Sequence, residues 1–225
     1  MTTLIDPSIS YVLEDNLAAY RELFLCCCKK VLEFPRGTIL SLGGNDIQCM
    51  YFLLDGIVKV YTTNPSGYIR ILGYHKRNTL FVMDGICSDE PAVVTTESVT
   101  SVKVLAVTRK ELSEMGKAEP DFLNNLLLYY GTVLRLMCFD AEIKSIDDVS
   151  SRLASFLCLY TDHLSPEEGG AVRLTQDELA SAVNASRVQI ARICSDFKSL
   201  GLIDCRRGRI FVLDRDRLSS ISKYG

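Results

Sequence analysis

Hydrophobic and polar positions follow two different periods along this chain, and the change falls near Pro120. From Val31 to Val107, short apolar runs of strand length are separated by glycine turns. The runs Gly37–Ser41, Met50–Leu54, Ile57–Thr62, Tyr68–Tyr74 and Ser101–Val107 are punctuated by Gly43-Gly44, Asp55-Gly56, Ser66-Gly67 and Asp84-Gly85. Such dipeptides tolerate positive φ and close tight turns between strands. Short strands at this spacing predict a small antiparallel barrel or sandwich.

From Pro120 the period lengthens. Phe122, Leu126, Tyr129, Val133, Leu136, Asp140 and Ile143 recur at alternating steps of four and three, a heptad seam broken only by Asp140. A second stripe, Leu123, Leu127, Tyr130, Leu134, Met137 and Ala141, runs one residue along. A helix with two adjacent apolar stripes needs two surfaces to bury them. One is its own barrel, and the other is most simply the same helix of a second subunit. Asp147-Asp148 then opens another helix, whose apolar face is Leu153, Phe156, Leu157 and Tyr160. The loop from Ser165 to Gly170 closes it off.

Residues 172–213 carry the chemistry. Val172-Arg173-Leu174 is a strand-like run. Thr175 and Glu178 form a capping box that opens a helix through Leu179, Ala180 and Val183. Asn184 sits at a turn, where left-handed geometry suits it. Ser186 and Gln189 form a second box, opening a helix that ends near Gly201. This is the helix-turn-helix arrangement. At about 100° per residue, Ile190, Ile193, Cys194, Phe197 and Leu200 fall on one side of the second helix. Arg187, Val188, Ala191, Arg192 and Ser195 fall on the other, a face able to enter a major groove. The run Ile203–Val212 reads as a hairpin with a basic tip, Arg206, Arg207 and Arg209, a wing suited to phosphates.

Charge supports a local contact rather than a general coating of nucleic acid. The chain of 225 residues has a net charge of −3, yet residues 185–209 hold six basic side chains against Asp196 and Asp204. Hydrophobic residues are 48% and charged residues 24%, a globular balance with room for two domains. The longest uncharged apolar run, Leu126–Leu134, is far short of the roughly 20 residues of a membrane span. Residues 1–16 show no secretory pattern, so the expectation is a cytoplasmic protein without membrane partners. Nine cysteines include the triplet Cys26-Cys27-Cys28 but no Cys-x-x-Cys pair, and the two histidines are His75 and His163. No metal site and no cofactor are expected, and idle thiols are the default.

Taken together, these residues resemble the CRP/FNR family of bacterial transcription regulators over essentially the whole chain. Phe34–Leu40, Tyr51–Val60, the long helix, Ser151–Ala154, Leu174–Ala180 and Ala185–Arg192 carry the resemblance. It implies an α+β chain. A jelly-roll effector barrel like that of cyclic-nucleotide-binding domains would occupy residues 1–118. A dimerisation helix would occupy 119–146 and a winged helix-turn-helix 147–225. The implied protein is no enzyme but a homodimeric activator that binds double-stranded DNA and RNA polymerase and answers to a small-molecule effector.

The departures from that pattern matter. Cyclic-nucleotide-binding members carry a Gly-Glu pair where this chain has Asn78–Met83, and an arginine for the phosphate where it has Glu90–Thr96. A cyclic phosphate without a cationic partner is poorly held, so cAMP is rejected as the effector. Oxygen-sensing members space their cluster cysteines, whereas adjacent thiols on a helix diverge by about 100°. The barrel instead resembles the branch that includes CprK, which senses small aromatic or halogenated acids. Tyr74, Lys76, Met83, Tyr129 and Tyr130 become the candidate effector contacts.

In the reader, Arg187 is followed by Val188 where many members have glutamate. Valine touches a thymine methyl rather than accepting from cytosine, which predicts an A/T-rich palindrome. Arg187 and Arg192 are the candidate base or backbone contacts. Ser186 and Gln189 stand beside them, and Thr175, Gln176, Arg206, Arg207 and Arg209 are assigned to phosphates. Two competing readings are a thiol- or iron–sulfur-based redox sensor on the same scaffold, and a barrel enzyme whose helical tail is a protein contact.

Overall fold

The computed structural model describes residues 10–63, 67, 69–84, 90–146, 148–161, 171–206 and 209–221, with 142–146 described by their backbone alone. The chain divides into two compact units. One is Val12–Val133, and the other joins Leu134–Gly225 to the segment ending at Tyr11.

The first unit is a barrel of two facing sheets. Its strands are β1 (Val12–Leu13), β2 (Val31–Phe34), β3 (Ile39–Ser41), β4 (Met50–Asp55), β5 (Val58–Thr63), β6 (Ile69–His75), β7 (Leu80–Phe81), β8 (Thr95–Ser98) and β9 (Val102–Val107). One sheet has the order β1-β6-β5-β8-β3 and the other β2-β9-β4-β7. Every pairing is antiparallel except that of β1 with β6. The five strand-like runs of the sequence become β3, β4, β5, β6 and β9 within two residues of their expected ends. Of the other four, β1 and β7 have two residues each, β2 is the four-residue run Val-Leu-Glu-Phe, and β8, Thr-Thr-Glu-Ser, has no apolar alternation at all.

Two clusters hold the barrel together. Leu53, Val58, Phe81, Val82, Val102 and Val104 fill the space between the sheets. Phe24, Phe52, Leu105, Met115, Phe122, Leu126 and Tyr129 form a second core beneath α1 (Arg21–Cys27), α2 (Arg109–Ala118) and the start of α3 (Pro120–Ile146). Phe24 stacks on Phe52 at 3.9 Å, and Phe122 meets Phe24 edge-on at 5.6 Å. The inward stripe of α3 is thus the predicted seam. Helix α2 begins with a Thr108–Glu111 capping box, a local signal that sequence reading overlooked.

The second unit is built around α4 (Val149–Thr161), which is buried from Ser151 to Leu159 apart from the half-buried Arg152. Around it lie β10 (Ala171–Val172), α5 (Gln176–Ala182), α6 (Arg187–Ser199), β11 (Ile203–Arg206), β12 (Arg209–Val212) and α7 (Arg215–Ile221). The strands pair in the order β10-β12-β11, all antiparallel. Ser10 and Tyr11 belong here too. The Tyr11 hydroxyl donates to Asp140 Oδ1 at 2.6 Å, its ring lies 4.9 Å from Phe156, and Ser10 Oγ donates to the Leu159 carbonyl. The break in the seam at Asp140 is therefore a buried partner for an N-terminal tyrosine.

Candidate nucleic-acid interface and effector cavity

Helix α6 is presented as its sequence requires. Ser186 caps it, taking the Gln189 backbone N–H while Gln189 Oε1 accepts from the Ser186 backbone N–H and hydroxyl. Thr175 and Glu178 cap α5 in the same way. Asn184, at the turn, has φ 53°, the left-handed value expected of it. Ile190, Ile193, Cys194 and Phe197 are buried, while Arg187, Val188, Gln189, Arg192 and Ser195 are exposed. Val188 is 79% exposed, an unusual position for a valine in a helix packed on its other side. Gln189 keeps its amide N–H groups free of the cap, since only its oxygen is used there.

The basic patch is less free than its composition suggests. Arg206 and Lys198 both bond Asp204, the lysine at 3.3 Å, and these contacts hold the Asp204 carboxyl below the usual carboxylate range. Arg187 lies 3.7 Å from Asp177, an exposed pair of small energetic weight. Arg206 and Arg209 oppose each other at the end of the β11–β12 hairpin. Arg207 lies outside the described residues. Gln176 is exposed at the first turn of α5, beside Thr175.

One positioning residue escaped sequence reading. Arg152, on α4, donates through Nε to the Val183 carbonyl at 2.8 Å and through Nη2 to the Asn184 carbonyl at 3.0 Å. Those carbonyls lie in the turn between α5 and α6, so this guanidinium fixes the angle at which α6 is presented. Its signal in the sequence was an arginine inside an otherwise apolar helix face.

In the barrel, a cavity of about 230 Å³ is lined by residues of β3, the 42–49 loop, Tyr51 and Val82. Val82 adopts φ 63°, a left-handed conformation that a β-branched residue rarely holds. None of the five candidate effector residues lines this cavity. Lys76 pairs with Glu14 at 3.4 Å. Tyr74 is paired with Lys59 and His75 with Val58, so alternation puts Tyr74 on the other face of the sheet from His75. The Tyr130 hydroxyl donates to the Met83 carbonyl at 3.2 Å, which brings those two candidates together. Tyr129 is buried and donates to the Leu80 carbonyl at 2.9 Å.

The Tyr129 oxygen is also 3.2 Å from His75 Nδ1, and Thr79 Oγ1 is 3.3 Å from the same nitrogen. Thr79 spends its own proton on the Lys76 carbonyl. Both hydroxyls being committed to carbonyls, Nδ1 of His75 carries the ring proton. Burial pushes His75 down to about 4, so the ring is neutral at pH 7.

The cysteine triplet diverges: Cys26 is exposed, Cys27 intermediate and Cys28 buried. Burial, then the Glu111 carboxylate and the Cys27 thiol, push Cys28 up to about 12. Cys27 is raised as well, again first by burial. Cys27 and Cys28 are therefore protonated, weakly reactive thiols. Among the described residues, no three His, Cys, Asp or Glu side chains gather as a metal site would need.

Residues Pro120–Ala141 are long and apolar enough, by length and composition alone, to cross a membrane. The inward stripe is in fact packed in the barrel core. The second stripe is exposed at Leu123, Leu127 and Leu134, and so is the adjacent Leu128.

Known proteins match both units. Residues 31–119 match the family model of the cyclic nucleotide-binding domain, and residues 151–221 that of the Crp-like helix-turn-helix domain. The CRP-like cAMP-activated global transcriptional regulator of Mycobacterium tuberculosis is 26% identical over 192 residues, covering 84% of this chain and 86% of that protein. Among solved structures, the c-di-GMP responsive global regulator CLP of Xanthomonas campestris superposes with a TM-score of 0.74 at 19% identity, over 87% of this chain and 98% of that one. CprK complexed with OCPA reaches 0.75 at 15% identity, over 96% and 100%.

Proposed function

We propose, from the premise that this chain belongs to the CRP/FNR family of transcription regulators, that it reads an A/T-rich two-fold operator as a homodimer under the control of a small non-nucleotide effector. The observation that carries the DNA reading is the exposed face of α6, where Val188 stands open between Arg187 and Arg192. A bare isopropyl group flanked by two guanidinium groups suits a thymine methyl beside base-edge or phosphate acceptors. Thr175, Gln176, Arg206 and Arg209 are the phosphate contacts of this reading.

The exposed stripe of α3 supports the homodimer. Leu127, Leu128 and Leu134 are 69%, 70% and 64% exposed, a larger apolar strip than a lone helix leaves to water. Two copies related by a two-fold axis would bury it and set the recognition helices about one DNA turn apart. An effector that binds the two arrangements unequally then shifts DNA affinity. Such a regulator works in the cytoplasm with RNA polymerase as its partner. Its relatives' ligands differ, so the effector has to be read from this barrel. Asn78–Val82 still supplies no carboxylate for a ribose, which supports a non-nucleotide ligand.

Selection from a random duplex pool with the full chain tests the DNA reading. The expected result is a two-fold motif rich in A·T, with half-sites about 10 base pairs apart and affinity that falls steeply with salt. Failure to enrich any motif, with and without small organic acids, would overturn it.

A further inference from the structure

Two cysteines of the DNA-reading unit fall on the packed sides of neighbouring elements. Cys194 lies on the core side of α6 with Ile190, Ile193 and Phe197, and is 5% exposed. Cys205 lies on β11, which packs along α6. Its direction follows from register. Cys205 is paired with Ile210 and stands two residues from Ile203, and both isoleucines are buried. Residues opposed across a strand pair share a face, as do alternate residues along one strand, so Cys205 turns to the same packed side. Asp204 and Arg206, which bond each other, take the other face.

Two contacts bring this stretch of β11 against the last turns of α6. The Leu202 N–H donates to the Phe197 carbonyl at 2.9 Å, and Lys198 bonds Asp204 at 3.3 Å. Lys198 stands one turn beyond Cys194 on the same flank of the helix, and Asp204 directly precedes Cys205. The two thiols interact: Cys194 is pushed up to about 11, first by burial and then by the Cys205 thiol. Cys205 is raised as well, by burial first, with Lys198 opposing. Both are free thiols, and they differ in access. Cys205 is open to a reagent, whereas Cys194 is covered and has Cys205 as its outlet.

We propose that Cys194 and Cys205 form a dithiol pair that a low-molecular-weight disulfide, of the oxidised-glutathione class, closes into a disulfide bond, lowering operator affinity. The Cys205 thiolate attacks one sulfur of the reagent. The reagent's S–S bond breaks, one half leaves as a thiolate that takes up a proton, and the other half stays on Cys205 as a mixed disulfide. Cys194 then loses its proton to water and attacks the Cys205 sulfur, expelling the second half as a thiol. The pair gives up two electrons and two protons, and the reagent becomes two thiols. The bond would hold the two Cα atoms about 4.4–6.8 Å apart. Helix α6 carries Arg187, Val188 and Arg192, and β11 leads to Arg206, so the bond resets the spacing between base and phosphate contacts. That consequence rests on the DNA reading given above; the bond itself does not.

The test treats the native full chain with oxidised glutathione, blocks the remaining thiols and maps tryptic peptides. Cleavage after Arg192, Lys198 and Arg206 puts the two cysteines in separate peptides, 193–198 and 199–206. The expected product is these two peptides joined by a disulfide that dithiothreitol reverses. It should form faster by up to about tenfold per unit between about pH 7 and 9, because the thiolate is the attacking species. Cys194→Ala should stop at the mixed disulfide on Cys205. Operator affinity should fall on oxidation by about tenfold or more, the cost of one misplaced base contact, and return with dithiothreitol. Cys205→Ser, an exposed position that folding tolerates, should keep its affinity under the same treatment. No linked peptides, or a link that forms only in denaturant, overturns the pair. A link without loss of affinity, or an equal loss in Cys205→Ser, overturns its control of DNA binding. If the reduced chain binds no duplex at all, the regulator reading falls, and the peptides still decide the pair.

Discussion

His75 shows what a single buried side chain can report. Its proton sits on Nδ1 between two hydroxyls, and burial holds its pKa near 4 against about 6.5 in an unfolded chain. The sign follows from linkage. Above pH 6.5 both states are neutral at this ring, and the folded state keeps its full advantage. As pH falls towards 4, the unfolded chain takes up a proton that the folded ring refuses, and stability is lost. Chemical denaturation between pH 7 and 4 should show the wild type losing up to about 3 kcal/mol more than His75→Gln over that range. Equal losses in both would remove the histidine from the explanation. None of this was legible in the sequence, where His75 was one imidazole at the end of a strand. Asp140 was visible only as a break in an apolar seam, because its partner Tyr11 is 129 positions away.

Elements whose signals are local were the most readable. The two capping boxes and the left-handed Asn184 lie within a few residues of each other, so the helix-turn-helix could be placed almost to the residue. Strand β8 could not, because its inner positions are Thr96 and Ser98 rather than apolar residues. Side-chain direction in the barrel is hard to read from sequence for the same reason. Which way Tyr74 points depends on strand register, which is not written in any short window. Arg152 is where the helical elements are joined. Replacing it with methionine keeps its bulk but removes both bonds to the α5–α6 turn. Arg152→Met should weaken operator binding by about tenfold or more while the far-ultraviolet circular dichroism stays helical, since the two lost charge-assisted bonds are worth about 1.5–3 kcal/mol each. Unchanged affinity would show that the turn holds its angle unaided.

At the scale of the molecule, the exposed stripe of α3 calls for a second copy. Leu127→Glu combined with Leu134→Glu places two like charges against two more across the expected two-fold axis. Sedimentation should then report a monomer, and operator affinity should fall by at least about a hundredfold because one subunit meets one half-site. A double variant that stays dimeric would move the interface elsewhere. The division of the chain also has a bearing on how it is made. Val12 and Leu13 are strand partners of Tyr74 and His75, whereas Ser10 and Tyr11 are bonded to residues of α3 and α4. Translation runs at about 5–20 residues per second, so every strand of the barrel leaves the ribosome while Tyr11 still waits on the order of ten seconds for Asp140. Ser10 and Tyr11 are made before every strand of the barrel and seated after them, so a change at these two positions would burden the DNA reader before it burdened the barrel.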